Sequence, residues 1–200
     1  MSYQKFTSLK SAVTKFSLDV RYEPLFDAIK PLPPSTRLQE DLAEAELLPT
    51  RNEKAKSEYI VVPVLKEMWR NANRSVVVFS GAKLTVDAAQ GLDGYCDFII
   101  AKSPFRSEIQ APLLCVVEAK KEDLESGLGQ CTAEMVAARI FNERDGAPLP
   151  AIYGCVTTAL EWLFLRLEGT TLTIDTHRYS LTNVPELLGA LQTVIDFYKS

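Results

Sequence analysis

The sequence predicts an α/β fold. Apolar, β-branched runs of strand length recur from residue 75 to 175, and amphipathic segments of helical length surround and interrupt them. Two of the strand-like runs also carry an acid in apolar surroundings, Asp97 and Glu118. A buried charge is costly unless it is paired or ligates a cation, so these two acids ask for an explanation that packing does not supply.

The composition fits that class. The 200 residues are 46% apolar and 24% charged, enough for a sizeable core in one domain. The longest apolar stretches are strand-sized, which predicts no membrane span, and Met1 to Lys5 opens no signal-peptide pattern. Cys96, Cys115, Cys131 and Cys155 form no C-x-x-C pair and lie in or beside apolar segments, so the expectation is a reduced, cytoplasmic protein. A single histidine, His177, excludes a histidine-cluster metal site and leaves little for a Ser/His or Cys/His nucleophile. A net charge of −4 argues against a broadly basic surface but allows a local basic groove.

In chain order, residues 1–50 form an N-terminal helical extension, with amphipathic pieces at Ser8–Leu18 and Glu23–Ile29. The proline cluster at residues 31–34 breaks the chain, and a helix follows from Thr36 to Leu48. That extension packs on the main domain, residues 51–200, or else exchanges between two copies. Thr50 and Glu53 have capping-box spacing and start a helix running to Asn71, with Glu58 one turn in and Pro63 inside as a kink.

Strands are expected at Ser75–Ser80, broken by Gly81-Ala82, and at Lys83–Ala88. A loop at Gln90–Gly94 contains Asp93, and the next strand, Tyr95–Ala101, is closed by Lys102-Ser103-Pro104. The strand from Leu113 ends in Glu118-Ala119-Lys120-Lys121. Side chains alternate along a strand, so Glu118 and Lys120 share a face and Lys121 points away, to solvent or to a phosphate. Glu122–Gly129 reads as a polar turn, with a helix from Leu128 to Asn142 whose first turn carries Gln130. Strands at Ala151–Thr157, Leu160–Leu167 and Thr171–Asp175 follow, then a closing helix from Leu181 to Tyr198. Trp162 and Phe164 read as core residues, and His177 as a loop residue without a partner.

The order of helix with Glu58, strand with Asp97, strand ending Glu118-Ala119-Lys120, helix with Gln130 and a further strand resembles the PD-(D/E)XK nuclease superfamily. It is similar in particular to the N-terminal nuclease domain of type I restriction enzyme R subunits. The likeness rests on Ser57-Glu58 with Pro63-Val64-Leu65, Asp97-Phe98-Ile99, Val117–Lys120, Gly129-Gln130-Cys131 and Val156–Thr158 with Glu161-Trp162, over residues 55–170. Cys96 stands where the motif has proline, and Asp93 is a rival acid that a turn role explains.

The resemblance implies a restriction-endonuclease-like core, a central mixed β-sheet flanked by helices. It also implies a metal-dependent nuclease hydrolysing DNA. Asp97, Glu118 and the Ala119 carbonyl would hold Mg²⁺ or Mn²⁺, and Lys120 would orient the attacking water. Glu58 and Gln130 complete the implied catalytic set at the rim. Restriction-like enzymes are often dimers, so a homodimer is one expectation. A partner protein supplying specificity is another, and no membrane is involved. The competing expectation is a non-catalytic module that keeps the fold and binds nucleic acid or protein.

Overall fold

A computed structural model describes residues 3–102 and 107–199; Ser103 and Pro104 lie outside the described residues. The elements run α1 (Leu9–Phe16), β1 (Asp19–Tyr22), α2 (Thr36–Leu47), α3 (Glu53–Lys56), a π-turn (Ser57–Val61) and α4 (Val62–Asn71). Then come β2 (Val77–Asp87), β3 (Leu92–Ala101), β4 (Leu113–Ala119), α5 (Glu125–Arg144) and β5 (Ile152–Thr157). The chain closes with β6 (Glu161–Glu168), β7 (Thr171–Ile174), β8 (Tyr179–Ser180) and α6 (Val184–Phe197).

The strands form one eight-stranded mixed sheet in the order β1-β7-β6-β5-β4-β3-β2, with β8 added to β6. β2, β3 and β4 make an antiparallel meander. α5 then crosses over so that β5 lies parallel to β4, the connection a parallel pair requires. Being covered on both faces, β4 and β5 are buried at every position, which is why they read as continuous apolar runs. One core, including Val64, Met68, Phe98, Val117, Trp162 and Leu188, packs α4 and α6 on one face. The other, including Leu84, Ile99, Val116, Leu128 and Met135, packs α5. Trp162 and Phe164 are fully buried, as expected. All four cysteines are free and buried. Among the described residues no helix is long and apolar enough to cross a membrane.

The N-terminal stretch differs from its sequence reading. Glu23–Ile29 forms no helix; the Glu23 amide donates to Ile174 O, carrying the extended chain on beside the neighbouring strand. Asp19–Tyr22 instead forms an edge strand parallel to β7. Asp175 is buried and organises the following turn, accepting from Leu25 N at 3.3 Å, His177 N at 3.0 Å and the Tyr179 hydroxyl at 3.1 Å. Buried Glu67 on α4 accepts from the Ser35 amide and hydroxyl at 2.8 and 3.0 Å, fastening the start of α2 to α4.

Three local expectations also change. The cap of α3 is Asn52, whose side chain accepts from Ala55 N at 2.8 Å, not Thr50. Pro63 does not kink the helix at its own position; the backbone widens into a π-turn just before it, with Val62 N donating to Ser57 O. A wider turn relieves the crowding that the proline ring imposes on the preceding turn. Gly81 does not break its strand either: β2 continues through it in the left-handed conformation, φ +60°, a conformation open to glycine without steric cost.

Gly127 and Gly129 belong to α5 rather than to a turn, so Gln130 falls in the second turn of a 20-residue helix. Glycine weakens a helix interior by about 1 kcal/mol, which is why the pattern read as a loop. Close approach overrides that cost here. A Cβ on Gly127 would lie 2.5 Å from Val156 Cγ1, and one on Gly129 would lie 2.4 Å from the carbonyl oxygens of Phe6 and Ser8.

Candidate active site

The β3–β4 pairing places the two anomalous acids. Phe98 pairs with Val117, Ile99 with Val116 and Ile100 with Cys115; continued one step, the register sets Asp97 opposite Glu118. The ladder stops there, and the Asp97 side chain takes over from the backbone: its Oδ2 accepts from Ala119 N at 2.8 Å. On the other flank, β2 pairs Ser80 with Phe98 and Ala82 with Cys96, so Gly81 stands across from Asp97. A residue without a side chain beside the acid leaves it open to a cleft of about 280 Å³ lined by Glu53, Glu58, Gly81, Asp97 and Ala119 among others.

Lys120 follows β4 directly. Its amide donates to Thr157 O at 2.7 Å, holding the backbone against β5. Its Nζ donates to Glu118 Oε1 at 2.5 Å and to Gln130 Oε1 at 3.2 Å. Gln130 Nε2 in turn donates to Glu134 Oε1 at 3.1 Å. Thus Glu118 and Lys120 meet on one side of the sheet, under α5, as strand alternation requires.

Glu134 escaped the sequence reading. It sits four residues after Gln130 on α5, fully buried, so it shares that residue's face. The one available signal was an acid inside the small and apolar run Cys131–Ala138. Glu53, read only as part of a cap, also lines the cleft and favours the charged form of Lys120.

The acids destabilise one another's charge. Burial raises the Glu118 carboxyl to about 8, with Asp97 adding to the rise and Lys120 opposing it. Burial, and then Glu118, push Glu134 well above the carboxylate range. Burial raises Asp97 as well, against the pull of the Ala119 amide. For Lys120, burial alone would lower the ammonium, but the Glu118 carboxylate outweighs it and the net direction is up. Glu118 Oε2 and Glu134 Oε2 are both buried with no donor facing them. The raised pKa values favour neutral, protonated carboxyls here over two buried charges.

Stability should follow. A carboxyl raised in the folded state contributes stability that is present below its unfolded pKa and lost as pH rises through the folded one. The metal-free protein therefore weakens from about pH 5 to about pH 8, by on the order of 1 kcal/mol per pH unit for each acid being driven to ionise. Glu134→Gln removes one such acid and keeps the amide-sized shape. Urea unfolding in chelator across that range should show a shallower decline for the variant; parallel declines would mean that Glu134 titrates normally.

The remaining expected residues sit as follows. Glu58 lies on the π-turn at the cleft rim, its side chain 55% exposed and 3.8 Å from Lys54 Nζ. Asp93 is not in a loop: it lies within β3, accepting from Thr85 Oγ1 at 2.6 Å, and it does not line the cleft. Lys121 pairs with Glu122 at 2.9 Å on the surface. His177 does have neighbours, Glu186 at 3.5 Å and the Tyr179 ring. Among the described residues no group of three or more His, Cys, Asp or Glu side chains is placed to hold a metal. The cluster comprises Asp97, Glu118, Lys120, Gln130 and Glu134, with Glu53 and Glu58 across the cleft. No protein-family model matches the chain, and no curated protein sequence matches it either.

Proposed function

We propose that the protein is a metal-dependent nuclease with a restriction-endonuclease-like core, hydrolysing phosphodiester bonds in DNA. The observation that carries this reading is the register that sets Asp97 opposite Glu118 at the open end of the β3–β4 ladder, with Lys120 bonded beside them. The succession of helix, antiparallel β2–β4 meander, α5 and a β5 parallel to β4 supports the core assignment.

The donor set suits a hard divalent cation such as Mg²⁺ or Mn²⁺. Two carboxylates and the Ala119 carbonyl offer oxygen ligands, and Mg²⁺ binds through one or two carboxylates while keeping several waters. Glu118 Oε2, buried and unpartnered, is an orphan acceptor of the kind such an ion satisfies. When bound, the ion neutralises charge on the scissile phosphate and makes a bound water more acidic. Asp97 and Glu118 hold the site. Lys120 orients the attacking water and offers its positive charge to the developing negative one. Gln130, fixed by Glu134, aims the Lys120 ammonium when Glu118 is committed elsewhere. Glu58 faces the cleft from the helix side.

The wild-type protein should cleave DNA with Mg²⁺ or Mn²⁺ and fail to do so in chelator. If no form of DNA or RNA is cut with either ion, the enzyme reading falls. A non-catalytic module that keeps the fold and binds nucleic acid or protein would then replace it.

A further inference from the structure

A second, larger cavity of about 480 Å³ adjoins the catalytic cleft; the two share Val62, Ser80 and Phe98 in their walls. It lies between α4 and β2, the outermost strand of the sheet. Its floor is apolar, with Leu65, Trp69 and Val77, and the two charged residues lining it, Lys66 and Arg74, are both cationic. Both are exposed, and neither takes part in an ion pair among the described residues. In a protein of net charge −4, a largely apolar cavity whose charged lining residues are both cations is a local departure that has to be explained.

The aromatic ring at this site is fixed in place. Trp69 is half-buried, and its Nε1 donates to Val76 O at 3.0 Å, which sets the ring's orientation. The Arg74 guanidinium lies 5.3 Å from the ring centroid. It is carried there by the closure that ends α4, where Asn73 at φ +52° and Arg74 at φ +59° turn the chain while their amides donate to Arg70 O and Trp69 O. Trp69 and Arg74 thus form one layered pair at one end of the cavity, the guanidinium lying over the indole face.

We propose that this cavity receives an unpaired nucleotide of the nucleic-acid strand next to the bond being cut, its base stacking on the layered Trp69–Arg74 pair and its phosphate held by Lys66. This deepens the nuclease reading and rests on it for the placement of the scissile bond. The chemistry matches the way single strands are held, by aromatic stacking joined to cationic backbone contacts. A base in a duplex is already stacked on its neighbours and cannot enter such a cavity without unpairing, so the inferred substrate has a single-stranded segment beside the cleavage point.

The test is binding in chelator, so that no turnover occurs, with a short fluorescein-labelled oligodeoxythymidylate and the duplex made from it. Trp162 is fully buried, so quenching of tryptophan emission by the same strand without its label, which acts only through contact, reports on Trp69. The single strand should bind and quench, and the duplex should bind more weakly. Trp69→Leu should abolish the quench and weaken single-strand binding about tenfold, the worth of one stacked base. The surface pair Lys66→Ala/Arg74→Ala, which leaves the core untouched, should weaken binding and flatten its salt dependence. Unchanged affinity in both variants, or equal binding of duplex and single strand, overturns the subsite. An oligonucleotide-independent quench by an apolar peptide would assign the cavity to a protein partner instead. Quenching with no cleavage under Mn²⁺ would leave the subsite standing and remove the nuclease reading. Cleavage with no dependence on Trp69 would do the reverse.

Discussion

Lys120→Ala is expected to reduce Mn²⁺-dependent DNA cleavage by about a hundredfold or more, the usual cost of losing a preorganised donor aimed at developing charge. Lys120→Arg should not restore it. A guanidinium is planar and spreads its charge over a fork, whereas the bonds to Glu118 and Gln130 converge on a single ammonium. The same substitution has a second signature, separate from catalysis. Without the ammonium, Glu118 loses the cation that favours its ionised form, so Lys120→Ala should be destabilised more at about pH 8, where Glu118 is being driven to ionise, than at about pH 5, where it is neutral. Cleavage rates and urea midpoints measured on one preparation check both. A variant that cuts as fast as wild type would remove Lys120 from the chemistry, and with it the case for the site.

The larger effect on folding is expected at Gly129. An alanine Cβ there would lie 2.4 Å from two main-chain oxygens, those of Phe6 and Ser8, and main chain cannot swing aside as the end of a side chain can. Relief requires α1 to move off α5. That displaces the Phe6–Phe16 ring pair and disturbs the bond from the Tyr3 hydroxyl to Leu84 O. Gly129→Ala should therefore cost about 3 kcal/mol, at the upper end of overpacking penalties, even though alanine is the better helix former. Thermal denaturation measures it. Gly146→Ala is the useful contrast: nothing crowds a Cβ there, but its φ of +70° strains any side chain, so its smaller loss comes from backbone conformation alone.

What was legible in the sequence follows from what each element needs locally. Asp97 and Glu118 were found because an acid inside a buried apolar run is visible without knowing its partners. β4 and β5 were found because strands covered on both faces are apolar throughout. The helix with Glu58 and the closing helix announced themselves through periodicity. What failed depended on contacts between distant segments. The glycines of α5 read as a turn because their value lies in admitting Phe6, Ser8 and Lys120, more than a hundred residues away in the first two cases and invisible to a local pattern. β1 was missed because a four-residue strand with an exposed pattern is defined only by β7 beside it. Glu134 was missed because α5 is buried around most of its circumference, so no polar stripe marked the face on which that acid lies.

The π-turn at Ser57–Val61 has a consequence for the cleft. A five-residue closure amounts to one residue more than an α-helical turn would use, and each helical residue carries about 100° of rotation. Everything before the turn is therefore dialled by that angle relative to everything after it. Val64, Leu65 and Met68 stay seated in the core, while Glu53, before the turn, and Glu58, at its start, line the cleft with Asp97. Losing a single residue from this turn would leave the helix and its buried stripe intact, yet point both acids away from the strand tips. The two walls of the cleft are kept in phase by one surplus amino acid.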